Sequence, residues 1–185
     1  MKVLVLVISS LAMISAELLH AQESKADKLS WSATQKLQLS DFSIKTAAAN
    51  EPSSHAEFSI TYKAGGKELL SSNLNKRVLN EFIRNGSWID TTQDVQQALR
   101  YQQASFDLCE VYVRQFRKAL YDNKPKIKRL SFVDELNETY TNAYSKRRLE
   151  YDLETKAGTD QVAQEKWEAI IKKELDQLKE YAVEK

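Results

Sequence analysis

Cysteine is nearly missing from this chain of 185 residues: Cys109 stands alone. A single thiol cannot close an internal disulfide, so the fold has to rest on packing. Histidine is scarce as well, with His20 and His55 the two in the sequence. One histidine and one cysteine downstream of residue 21 are too few for the usual zinc sites, which draw three or four ligands mostly from those two types. The chain also lacks an excess of charge of either sign. Its 27 basic and 26 acidic residues are mixed along the sequence and leave a formal charge of +1. That balance offers no general pull on nucleic acid or anionic lipid, and no nucleic-acid reader motif is present. Long apolar runs are absent too. The one candidate, Val3 to Ala16, is interrupted by Ser9, Ser10 and Ser15 and falls short of the about 20 apolar residues that cross a bilayer.

Those first residues fit an export signal instead. Lys2 supplies a short positive n-region, the apolar stretch follows, and small residues stand at Ala16 and Ala21, with Ala21 the favoured cleavage point. No Cys follows the stretch, which argues against a lipid anchor. The expected organisation is a signal over 1–21, a flexible leader over 22–28, and one domain over 29–185. The product would be periplasmic or extracellular, with no stable membrane insertion after cleavage and no nucleic-acid partner. With 42% hydrophobic and 29% charged residues, the remainder has the composition of an ordinary globular domain large enough to bury a core.

Leu29-Ser30-Trp31 opens the ordered part, and Leu37, Leu39 and Phe42 alternate with polar residues at strand period. Asn50 to Ser54 reads as a loop. Ala56, Phe58, Ile60 and Tyr62 alternate with Glu57, Ser59, Thr61 and Lys63, the pattern of a strand with one wet face. Gly65-Gly66 predicts a turn and Ser71-Ser72-Asn73 a second loop. Lys76 to Arg84 leans to strand, and Asn85-Gly86-Ser87 is expected to break it before the apolar anchor Trp88-Ile89.

From there the period changes. Asp90, Thr91 or Thr92 can cap a helix running to about Tyr121, with Asp94 suited to the positive end of its dipole. Val95, Leu99, Gln102, Phe106, Cys109, Val113, Phe116 and Leu120 share one stripe, and Gln102 is its one polar member. A second helical pattern opens near Ser131, with Val133, Leu136, Tyr140, Ala143 and Arg147 on one face and Tyr144, Tyr151 and Leu153 beside it. Ala157-Gly158-Thr159-Asp160 closes it and caps a third helix carrying Trp167, Ile171, Leu175, Leu178 and Tyr181. Strands over 29–89 followed by helices over 90–185 predict an α+β fold, a small N-terminal antiparallel sheet with three long helices packed on it.

In a metallohydrolase helix, two His at i and i+4 reach one zinc ion, and the Glu after the first His activates the bound water. Here Tyr101-Gln102-Gln103-Ala104-Ser105-Phe106-Asp107-Leu108-Cys109-Glu110 is followed by Arg114 and Arg117. This frame resembles a family of secreted bacterial proteins described as zinc-dependent proteases, whose helix carries His-Glu-Gln-x-His-Phe-Asp, then a Glu and an Arg-rich tail. Leu29-Ser30-Trp31, Asp41-Phe42, Ala56 and Ser87-Trp88-Ile89 look similar to other family landmarks. Tyr151-Asp152-Leu153-Glu154-Thr155-Lys156-Ala157-Gly158 resembles the family's Tyr-Asp-x-Glu-Thr-x-His-Gly, and Gln164 and Trp167 echo its following Gln and Trp. The resemblance implies metal ligands at the positions of Tyr101, Ser105 and Ala157 and a base at Gln102. None of the four is suited to its role: no normal zinc ligand and no useful basicity remains.

The resemblance therefore implies an exported, non-catalytic relative, a pseudoenzyme with neither metal nor cofactor, retaining a cleft lined by Tyr101, Gln102, Ser105 and the Ala157 turn that could take a peptide or surface polymer. One rival is a hydrolase with a metal held by carboxylates such as Asp107, Glu110 and Asp152, although a paired structural role suits Asp107 and Glu110 better. Another is a structural protein that contacts partners through its second and third helices. His55 reads as exposed, Cys109 as a small buried hydrophobe rather than a nucleophile, and Tyr101, Tyr112, Tyr140, Tyr144 and Tyr151 as helix packing.

Overall fold

The computed structural model describes residues 27–62, 73–124, 127 and 129–183. The export signal, nearly all of the leader and the Gly65-Gly66 turn lie outside the described residues. The fold is α+β, a small four-stranded sheet followed by three helices.

Strand β4 (Val78–Ile89) is the hub of the sheet. Strand β3 (Ser54–Tyr62) runs antiparallel along one side of it, from Tyr62 opposite Val78 to Ser54 opposite Ile89. Two short strands share the other side: β1 (Lys28–Ser30), antiparallel with Lys28 opposite Ile83, and β2 (Ser43–Ile44), parallel with Ser43 opposite Trp88. The sheet is thus mixed, because the loop between β1 and β2 turns the chain before it rejoins β4. Lys28, expected at the end of the leader, already belongs to the sheet. Leu37, Leu39 and Phe42 do not form a strand. A single 3-10 turn at Leu39–Asp41 bends that segment, and Leu37 and Phe42 are buried individually.

Asn85-Gly86-Ser87 does not end β4 as expected. The strand continues through it, but the register against β3 shifts between His55 and Glu57. The chain bulges there, and Ser87 stitches it: its Oγ donates to the Ile83 carbonyl at 2.6 Å and accepts from the Glu57 amide at 3.0 Å. The Glu57 side chain lies over Gly86, where a Cβ would meet Glu57 Oε2 at 2.1 Å.

Helix α1 (Val95–Asp122) has no Gly or Pro within it and is capped by Asp94, whose carboxylate accepts from the Gln97 amide at 3.0 Å. Asp90 does not cap the helix. It ties the loop before it, accepting from the Thr92 hydroxyl at 2.7 Å and from the amides of Ala47 and Thr92 at 3.0 and 2.9 Å. Those bonds, the Thr92 hydroxyl first, hold its carboxyl down at about 2. A depressed folded value stabilises the fold above the unfolded value of about 3.9, and that contribution is lost as pH falls through about 2. A carboxyl-detected NMR titration is expected to place the Asp90 midpoint near 2, and Asp90→Asn to weaken the acid-side dependence of stability.

More than half of the residues of α1 are buried, on every side rather than on one stripe. The sheet covers one flank, where Phe58 stacks on Phe106 at 5.1 Å and Phe42 meets Phe82 edge-on at 4.9 Å. Helices α2 (Leu130–Glu154) and α3 (Gln161–Gln177) cover the others. Tyr144 and Tyr151 of α2 are buried, whereas Leu153, grouped with them in the sequence, is 69% exposed. Trp167 and Ile171 of α3 reach the same core. Beneath α1 lies a buried ionic group: Glu110 Oε1 accepts from Arg114 at 3.1 Å and Arg117 at 2.8 Å, and Arg117 also donates to the Val78 carbonyl at 2.8 Å. No helix of the described residues is long and apolar enough to cross a membrane.

Candidate functional site

Tyr101 and Ser105 lie one turn apart on the flank of α1 that faces α2, and the turn after α2 closes over the first of them. That turn is strained: Lys156, Ala157 and Gly158 take φ of 51°, 55° and 86°, the left-handed region that side chains disfavour. Local bonds hold it. The Ala157 amide donates to the Asp152 carbonyl at 2.8 Å, the Gly158 amide to Thr155 Oγ1 at 3.2 Å, and the Asp160 amide to the Thr155 carbonyl at 2.9 Å. From α1, Gln97 Nε2 donates to the Gly158 carbonyl at 2.9 Å. Gly158 approaches Tyr101 so closely that an added Cβ would lie 2.6 Å from Tyr101 Cβ.

The two motifs quoted from distant parts of the sequence thus meet at one place. The Tyr101 ring stacks on Tyr151 at 5.2 Å, and Trp167 meets the other side of Tyr151 edge-on at 5.5 Å. The Tyr151 hydroxyl donates to Gln164 Oε1 at 2.8 Å and lies 3.1 Å from the Tyr101 carbonyl oxygen. Thr155 Oγ1 donates to the Tyr151 carbonyl at 2.7 Å, ending α2. Gln164 continues outward to Glu168 and from there to Arg100.

The four inferred site positions are placed as follows. Tyr101 is buried, and its hydroxyl donates to Asp152 Oδ1 at 2.5 Å. Burial, then the Asp152 charge, pushes the phenol well above its usual range. Gln102, 1% exposed, points elsewhere: its Nε2 donates to Ser54 Oγ at 2.9 Å, and its Oε1 has no partner among the described residues. Ser105 is fully buried, and its Oγ also has no partner among the described residues. Ala157 packs at the edge of the same core. Because Tyr101, Gln102 and Ser105 are all buried, they do not line the open cleft expected from the sequence.

A residue that the sequence did not single out occupies the centre of this region. Arg148 of α2 reaches across to β3, where its Nη1 donates to the Ala56 carbonyl at 3.0 Å and to the Tyr144 hydroxyl at 3.3 Å. Its Nε stands 3.7 Å from Asp152 Oδ2, and its guanidinium lies over the Phe58 ring at 5.0 Å. It falls one helical turn before Asp152, a spacing that marks an ion pair but says nothing about what lies opposite.

The zinc ion that the resemblance implies does not fit these residues. The Tyr101 hydroxyl is committed to Asp152, Ala157 brings no donor, and a guanidinium stands beside the carboxylate that would have to share in any binding. Among the described residues no group of three or more His, Cys, Asp and Glu is placed to hold a metal. The three carboxylates of the rival reading serve separate partners. Asp107 accepts from Trp31 Nε1 at 2.7 Å and Gln103 Nε2 at 2.8 Å, Glu110 binds its two arginines, and Asp152 binds Tyr101 and Arg148.

Cys109 and His55 do not form a nucleophile and base pair. Cys109 is fully buried, and burial, then Glu110, pushes its thiol well above the ordinary range. His55 is exposed on β3. Cys109 is therefore expected to stay unmodified by a thiol-specific reagent in the folded protein and to react fully once denaturant is added, as counted by mass spectrometry. The remaining tyrosines pack: Tyr112 against Tyr144 at 6.1 Å and Tyr140 on Phe116 at 5.8 Å.

Comparison of the chain with protein-family models, with curated proteins and with solved structures gave no match.

Proposed function

We propose that this protein is an exported, non-catalytic relative of the zinc-protease-like family, working in the periplasm or outside the cell as a binding or scaffold protein. The observation that carries this reading is Arg148. In a metal site the carboxylate, hydroxyl and carbonyl around it would surround a divalent cation, whereas here a tethered guanidinium satisfies Asp152, Tyr144 and Ala56 together. A fixed organic cation balances the charge of Asp152 but offers no empty orbital to polarise a carbonyl and no bound water to ionise. The convergence of Asp152, Thr155, Gly158, Gln164 and Trp167 on the stacked pair Tyr101 and Tyr151 supports a scaffold kept after its chemistry was lost.

Elemental analysis of the purified protein is expected to find zinc far below one per chain, and peptide hydrolysis is expected to be at background with or without a chelator. Stoichiometric zinc, or a peptidase activity that a chelator abolishes, would overturn the reading. Reconstruction offers a sharper form of the same test. The combination Tyr101→His, Gln102→Glu, Ser105→His and Ala157→His is expected to bind zinc only when Arg148→Ala is added, because the guanidinium otherwise occupies the site and repels the metal.

A further inference from the structure

The flank of α1 that carries Arg100, Gln103, Asp107 and Arg114 borders a groove of about 870 Å³, closed on one side by the segment 31–36 and on the other by α3 and the turn after it. Sites for small ligands commonly enclose about 300–1,000 Å³, apolar for the most part with a few placed polar groups. Along α1 the lining runs from Arg100 to Arg114, a span of about 21 Å at the helical rise. Its apolar surface comes from Trp31, Ala33, Leu175, Ala182 and Val183, whereas Ala104 and Ile171 border it but are only 4% and 2% exposed.

The charges around this groove do not cancel. Each acid of the lining already has a cation: Asp107 pairs with Lys36 at 3.5 Å, Glu168 with Arg100 at 2.7 Å and Asp176 with Lys172 at 2.7 Å. Arg114 and Lys179 are left over. Arg114, with a side chain 6% exposed, is held from behind. Its Nε donates to Glu110, its Nη1 donates to the Leu175 carbonyl at 2.9 Å, and its guanidinium lies over the Trp31 ring at 5.0 Å. No acceptor among the described residues takes a bond from its Nη2. Glu110 cannot neutralise it alone, because the same carboxylate also serves the buried Arg117. Two guanidinium groups against one carboxylate leave a positive excess in a low-dielectric place, where an added anion gains most. Lys179, four residues beyond Leu175 on the same rim, carries an ammonium with no hydrogen-bond or ion-pair partner among the described residues.

We propose that this groove binds a linear amphipathic carboxylate of the fatty-acid class. The carboxylate sits between Arg114 and Lys179, and the acyl chain runs over Trp31 and Leu175 toward Arg100. Charge complementarity at one end and an apolar floor along the rest select an anion with an apolar tail over a polar anion or a cation. The assignment does not depend on how the Tyr101 position is read, so a zinc-binding result leaves it standing.

Calorimetric titration of the full chain with decanoate, below its micellar range, tests it against decyltrimethylammonium and acetate. Saturable one-to-one binding of decanoate alone is expected, together with a change in tryptophan emission that Trp31→Phe removes. Lys179→Glu, a change on the exposed rim, is expected to weaken decanoate at least tenfold, and Lys179→Arg to leave it within twofold. Equal binding of the cationic amphiphile, insensitivity to Lys179→Glu, or no saturable decanoate binding would overturn the proposal. Tighter binding of a short apolar peptide than of decanoate would replace the acyl ligand with a peptide and overturn it as well.

Discussion

Replacing Glu110 by Gln is expected to destabilise the protein by about 3–5 kcal/mol, the usual cost of removing one partner from a buried ion pair. The charges decide the size of the effect. Glu110 is 1% exposed and stands between Arg114 and Arg117, whose side chains are 6% and 4% exposed. Burial already lowers the Arg117 value against the opposing attraction of Glu110, so the carboxylate is what keeps that guanidinium charged at low cost. Gln leaves two like charges facing each other in a place that water reaches poorly. The arginines cannot swing out freely, because Arg117 is fastened to the Val78 carbonyl of β4 and Arg114 to the Leu175 carbonyl of α3. The loss therefore loosens the sheet, α1 and α3 together, and chemical denaturation is expected to show a lower midpoint with the transition still cooperative. A change below about 1 kcal/mol would mean that the pair is much wetter than its burial indicates.

Gly158→Ala is expected to have the second large effect, about 2–4 kcal/mol, from backbone strain and overpacking combined. At φ of 86° a side chain is disfavoured whatever room exists, and here there is none. The atom in the way is Tyr101 Cβ, fixed to the backbone in the second turn of α1, rather than the end of a side chain that could rotate aside. Relief requires the turn to lift off α1, which would break the Gln97 bond to the Gly158 carbonyl and unstack Tyr101 from Tyr151. A denaturation series comparing Gly158→Ala with Ala157→Gly separates the causes. The second change removes strain at φ of 55° without adding an atom and is expected to be neutral or stabilising.

Both predictions concern places where short stretches of sequence were readable but their meeting was not. The α1 helix could be expected over nearly its whole length, because its apolar spacing, its acidic start and its Asn123-Lys124-Pro125 end are local signals. The same holds for β3, with its period of two, and for the Ala157-Gly158-Thr159-Asp160 junction, where Asp160 does cap α3 by accepting from the Ala163 amide at 3.1 Å. The break expected at Asn85-Gly86-Ser87 does not occur, because β4 continues through it to Ile89. Turn-forming residues do interrupt pairing there, but Ser87 repairs the backbone across the gap, and a strand can survive a bulge that its sequence advertises as an end. Leu153 shows the opposite limit. Its position beside Tyr151 on a helical wheel resembles a core position, yet no element among the described residues covers it.

The candidate site divides along the same line. Which residues stand at the four positions was legible directly, and so was their poverty as ligands, since ligand chemistry belongs to the side chain alone. Whether Ala157 approached Tyr101 was not legible, because more than fifty residues of chain lie between them and contact at that separation depends on how α2 docks. The role of Arg148 was hidden for the same reason. Its partners Ala56, Tyr144, Asp152 and Phe58 come from two elements, and only α2 was visible from its own neighbourhood.

By itself, then, the sequence determined the α+β order, the long helix and which side chains stand at positions 101, 102, 105 and 157, all properties set by local periodicity or by side-chain identity. Only the tertiary structure decided that residues all round α1 would be buried, that a guanidinium would stand among the residues around Tyr101, and that one flank of α1 would border a groove with an excess of basic side chains. Those outcomes depend on which surfaces meet, and burial energy is assigned when helices and sheet pack, not residue by residue along the chain.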